Sequence, residues 1–122
     1  MNGSAALVRV HAHVDRSVPV CAVRGEMDSS NVESVLDQVL ATTSPEHPGL
    51  VLDLTSTEYL DSAGVRILFE LARRLRSRRQ ELRIVVPVDG IVRRVLVLTA
   101  LADVVAMHDD VEDAVTMLRT RL

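Results

Sequence analysis

Two hydrophobic periods alternate along this chain, and that alternation limits its fold more than any single motif does. Apolar residues at every second position mark a half-buried strand, whereas spacing at i, i+3, i+4 and i+7 marks one face of a helix. At the start, Ala6, Val8, Val10, Ala12 and Val14 fall on one side and Arg9, His11, His13 and Asp15 on the other. Residues 16–19 are short enough for a hairpin into a second strand over 18–25, closed by Gly25. The period then changes. Val32, Val35, Leu36, Val39 and Leu40 form a helical stripe, Ser30 and Glu33 are spaced as a capping box, and "TTSPEHPG" ends the segment. "GLVLDL" is a short buried strand, and Val65, Leu68, Ala72 and Leu75, flanked by Ile67 and Leu71, define a second helix with Glu70 and Arg74 as an i, i+4 pair. "LRIVVPV" is the next strand, stopped by Pro87. Asp89 is placed to cap a third helix running to about Leu98, and "VVAMH" is a last strand. Val111, Ala114, Val115 and Leu118 line a final helix that starts after Asp109 or Asp110.

Strands alternating with helices predict an α/β fold. Its central sheet is mostly parallel, because each crossover helix returns the chain in the same direction, and the hairpin adds the first strand antiparallel at one edge. About four α-helices cover it. A chain of 122 residues fits one domain, with a core over about 6–119 and no linker, repeat or low-complexity tract. At 48% hydrophobic and 25% charged residues the chain can fold, and no apolar run approaches the ~20 residues of a membrane span. "MNGSAALVRV" has no basic start followed by a long apolar stretch, which predicts a cytoplasmic protein. Cys21, the single cysteine, sits in the apolar "PVCAVRG" and reads as a buried, inert thiol.

Charge is unevenly spread although the net value is only −3. Residues 73–94 hold eight arginines against Glu81 and Asp89, while 103–113 hold five acids and no base. The arginines of "RRLRSRRQ" lie on the outer side of a helix. With Tyr59 and Phe69 the only aromatic residues, stacking on bases is poorly provided for, and direct nucleic-acid binding is not expected. His11 and His13 share a strand face without a clustered third ligand, so no metal site is expected. No glycine-rich phosphate loop is present, and no cofactor is expected.

The informative stretch is "YLDSAGVRIL", where Ser62 falls between a strand and a helix. In open α/β sheets, sites favour the loops at the carboxyl ends of strands. Ser62 can be a helix N-cap, although Asp61 can cap equally well, or a nucleophile, or a modified residue. "LDSAG" fails the G-x-S-x-G pattern at Leu60, and no histidine is placed as a base among His11, His13, His47 and His108. An enzyme is not expected.

"RGEMDSSNVESV", "LVLDLTSTEYLDSAGVRIL" and "VRRVLVLTALADVVAMHDDVEDAV" together resemble the anti-sigma factor antagonists, small bacterial proteins of the STAS type, over nearly the whole chain. Two elements are specific: Gly25, Glu26, Met27 and Asp28 after the second strand, and Asp61, Ser62, Ala63 and Gly64 after the third. The resemblance implies a single STAS-type domain in which Ser62 is phosphorylated by a partner that is both a serine kinase and an anti-sigma factor. The unphosphorylated protein binds that partner and frees the sigma factor, and a serine phosphatase resets the modified form. It further implies a docking surface of Glu26, Asp28, Ser29, Asp61, Ser62, Ala63, Gly64 and Arg66, and is compatible with a weak homodimer. Relatives of the same type serve as subunits of stress-signalling complexes or as accessory proteins of transport systems, which is the alternative: a STAS module that binds without being switched.

Overall fold

The structure, a computed structural model, describes residues 8–121. Ala6, expected in the first strand, lies outside the described residues. Strand β1 (Val8–Asp15) turns back at Arg16 and Ser17, both with positive φ, and pairs antiparallel with β2 (Val18–Met27) from Asp15↔Val18 to Val8↔Gly25. Then follow α1 (Val32–Leu40), β3 (Gly49–Asp53), β4 (Thr57–Leu60), α2 (Ser62–Ser77), β5 (Glu81–Val85), α3 (Ile91–Leu98), β6 (Ala106–His108) and α4 (Val111–Arg119). The six strands form one sheet in the order β1-β2-β3-β5-β6, with β4 paired to β2. Every pairing except β1–β2 is parallel, as the alternating periods predict.

The sheet separates two apolar cores. Cys21, Val23, Leu50, Leu52, Leu82 and Ile84 point to the side covered by α1, α2 and α3, where Leu36, Leu68, Leu71, Leu75 and Leu96 meet them. Their neighbours Val20, Val51 and Val85 point the other way, onto Ala114, Val115 and Leu118 of α4. Burial on both faces explains why the central strands are nearly continuous apolar runs. At the edge, Val8 and Val10 pack against the larger core, whereas Ala12 and Val14 are exposed because β1 runs on past its cover.

Several local features depart from the sequence reading. β2 continues past Gly25 to Met27, because Gly25 adopts φ 107 and the register shifts between Gly25 and Glu26. Only a residue without a side chain takes that conformation readily, and the shift carries the end of β2 from β3 to β4. The Ser30–Glu33 capping box does not form: Asn31 occupies the cap position of α1, and both the backbone N–H and hydroxyl of Ser30 donate to Asp28 Oδ1. Asp89 does not cap α3, whose cap position is Gly90. Val104 and Val105 precede β6 rather than belonging to it, since a 3₁₀ turn over Leu101–Asp103 delays the strand.

Candidate functional site

β2 and β4 run parallel and end side by side, so the loops that follow them emerge together. Met27 is in register with Leu60, and the N–H of Asp61 donates to the carbonyl of Met27 at 3.2 Å. The two sequence elements around Asp28 and Ser62, 34 residues apart, thereby become one surface at the carboxyl ends of the strands.

Each loop is held by its own side chains. After β2, the buried Asn31 clasps the turn: its Oδ1 accepts from Asp28 N–H at 3.1 Å and its Nδ2 donates to the Glu26 carbonyl at 2.9 Å. Asn31 was not singled out in the sequence, although an asparagine directly before a helical stripe is a cap candidate. Asp28 is half-buried and its carboxylate accepts from the exposed Ser30, and Ser29 is exposed. Glu26 is half-buried. At the start of β4, the buried Thr57 hydroxyl donates to the Val23 carbonyl at 2.6 Å, fixing the short strand onto β2.

After β4, Asp61 rather than Ser62 caps α2, its Oδ1 accepting from Gly64 N–H at 3.1 Å. Ser62 is the first residue of the helix and exposed, so its hydroxyl lies outside the cap. Gly64 is buried for a different reason: a Cβ there would stand 2.9 Å from Leu60 Cβ and 3.3 Å from the Met27 carbonyl oxygen. That close approach seats the first turn of α2 on both strands. One turn after Ser62, Arg66 Nη2 reaches Glu33 Oε2 of α1 at 3.5 Å, an exposed ion pair that joins the two helices above the loops. Glu26, Asp28, Ser29, Asp61, Ser62, Ala63 and Arg66 thus belong to one end of the molecule, with Gly64 beneath them.

Elsewhere, polar side chains serve the scaffold. His108 is buried, with Nδ1 against Asp113 of α4 and Nε2 3.0 Å from Arg83 Nη1. An arginine can only donate, so Nε2 accepts and Nδ1 carries the proton shared with Asp113. Burial pushes the Cys21 thiol above its ordinary range, opposed by the Thr42 hydroxyl at 3.2 Å. Among the described residues no group of three or more His, Cys, Asp or Glu side chains is placed to hold a metal ion, and no helix is long and apolar enough to cross a membrane.

The molecule is a small, mostly parallel α/β sheet that presents an exposed serine beside two strand-end loops. Residues 9–114 match the STAS domain, and the chain belongs to that family. BtrV of Bordetella bronchiseptica, named as an anti-sigma factor antagonist, is 25% identical over 103 residues, covering 84% of this chain and 88% of BtrV. The crystal structure of an anti-sigma factor antagonist from Mycobacterium paratuberculosis superimposes with a TM-score of 0.81 at 26% identity, covering 92% of this chain and 94% of that one. The Bacillus cell fate determinant SpoIIAA in its phosphorylated form shares the fold, with a TM-score of 0.60 at 17% identity over 91% of this chain and 98% of that one.

Proposed function

We propose that this chain is an anti-sigma factor antagonist, a binding regulator acting in the cytoplasm. In its unphosphorylated form it docks on an anti-sigma factor that is also a serine kinase, and so frees the sigma factor. Phosphorylation of Ser62 ends that contact, and a serine phosphatase restores it. The observation that carries this reading is the position of Ser62: exposed, first in α2, outside the cap, and beside the Asp28 loop. A residue there can change its charge without disturbing what holds the helix in place.

In the transfer, a bond forms between Ser62 Oγ and the γ-phosphorus of ATP as the bond from that phosphorus to ADP breaks. The hydroxyl proton passes to a base of the kinase. The product adds about −1.5 to −2 charges at neutral pH. Close, partly buried like charges across an interface cost ~3 kcal/mol, enough to weaken binding about a hundredfold. A local change of surface charge therefore suffices, and the fold stays as it is. Kinship in name with BtrV and with the Mycobacterium paratuberculosis protein supports the same reading.

The test is intact-mass analysis after incubation with ATP and the candidate kinase, with Ser62→Ala as control, followed by titration of both forms against the kinase. One phosphate on the wild type, none on Ser62→Ala, and about a hundredfold loss of affinity are expected. With a kinase of verified activity, no phosphate would move the assignment to a STAS module that binds without being switched.

A further inference from the structure

Resting on that reading, the geometry points to Arg66 as the receptor of the phosphate on Ser62, exchanging Glu33 for it when the switch is thrown. The start of α2 supplies a phosphate on Ser62 with only part of its counter-charge. Two of the first-turn N–H groups are already engaged, Gly64 with Asp61 Oδ1 and Val65 with the Asp61 carbonyl, and the Asp61 carboxylate adds a repulsive neighbour.

Arg66 is four positions on. Side chains at i and i+4 lie on one helix face with Cβ atoms ~5–6 Å apart, and helical side chains lean toward the N-terminus, which tilts the guanidinium toward residue 62. Its present partner is a weak competitor. The Arg66–Glu33 contact is 3.5 Å long between side chains that are 61% and 71% exposed, where screening by water leaves an ion pair little strength. A phosphate offers roughly twice the charge of a carboxylate and accepts both guanidinium N–H groups side by side.

The exchange changes more than one charge on the docking surface. Arg66 is neutralised in place, Glu33 on α1 is left bare, and the link between α1 and α2 above the loops is broken. A partner that meets Arg66 with a carboxylate therefore loses its counter-charge and faces new negative charge at two points, Ser62 and Glu33.

The experiment uses the full chain with phosphoserine installed at position 62 during synthesis, so that no kinase is needed. The second ionisation of the phosphate is followed by phosphorus NMR against pH. A neighbouring cation favours the dianion, so the wild-type midpoint should lie at least ~0.5 pH unit below that of Arg66→Ala, with Arg66→Lys between them. Glu33→Gln removes the competitor and should lower the midpoint below wild type. Coincident midpoints for wild type and Arg66→Ala, or for wild type and Glu33→Gln, overturn the exchange. A kinase that fails to modify Ser62 would instead overturn the functional reading, leaving these midpoints to be judged separately.

Discussion

The two ends of α2 are built on opposite principles. Its first turn is fixed by contact: Asp61 caps it, Gly64 lies against Leu60 and Met27, and the adjoining strand is in register with β2. Its last turns bury Leu71, Ala72 and Leu75 in the core and carry their charge on the outer side. Arg73 and Arg74 both reach Glu70, while Arg76 and Arg78 project outward around the helix end, where cations complement the carbonyl dipoles. Arg79 closes the helix in the left-handed region at φ 60, with Gln80 N–H donating to the Leu75 carbonyl at 2.8 Å. The lesson is that a surface residue can be placed with precision only where the backbone beneath it is packed. The arginine end is rich in charge and tolerant of change, whereas the serine end is sparse in charge and intolerant.

Substitutions can break that contrast in a graded way. Gly64→Val forces a branched side chain against Leu60 and the Met27 carbonyl, and overpacking of this kind should cost about 3 kcal/mol in denaturant unfolding. Partner affinity should fall with it; unchanged stability would show that the first turn is not tightly seated. Asn31→Ala removes two hydrogen bonds from a buried clasp and should cost about 2 kcal/mol, visible as faster amide exchange around Glu26 and Asp28. Asp61→Ala should cost about 1 kcal/mol as a lost cap, and a thermal melt that does not move would pass the capping role elsewhere.

At the other end the effects shrink or reverse. Arg79→Gly relieves a left-handed conformation and should stabilise by about 1 kcal/mol while leaving partner binding untouched. Glu70→Gln should leave the melting temperature within scatter, although Arg73 first and Arg74 second hold its carboxyl down to about 2. Because the folded-state value is depressed, the pair's small stabilising effect is present above the ordinary carboxylate range and disappears as pH falls through about 2. Carbon NMR of the Glu70 carboxyl reads this directly, and a midpoint near 4 would show that the pairing with Arg73 and Arg74 does not persist in solution.

Much of the fold could be read from the sequence because burial repeats. Val32, Val35, Leu36 and Val39 are all buried in α1, as their spacing requires, and the same holds for the stripe of α2. β4 could not be read that way. Thr57 and Leu60 are buried and Glu58 and Tyr59 exposed, which is neither period, and the strand exists only because β2 bends at Gly25 to meet it. Caps failed for a related reason. Ser30 and Glu33 have the right spacing, but the carbonyl of Glu26 and the carboxylate of Asp28 arrive first and draw Asn31 and Ser30 into a different turn.

The candidate site divides in the same manner. Its two motifs, the element ending at Asp28 and the one around Ser62, were legible through the family resemblance, and Ser62 also through its place between a strand and a helix. That they share one surface was not, because it depends on the pairing of Met27 with Leu60. Nor could Arg66 be matched to Glu33, or His108 to Arg83, since each pair joins elements that are distant along the chain.

The sequence by itself determined which helix faces are buried, the order of the four helices and of every strand but β4, and that a serine stands at a helix start. These are local consequences of hydrophobic period and of side chains that compete for nearby backbone groups. The tertiary structure alone decided which residue caps α2, which glycine must be a glycine, and which carboxylate of α1 Arg66 reaches. Those outcomes depend on distances between segments that meet only when the sheet assembles.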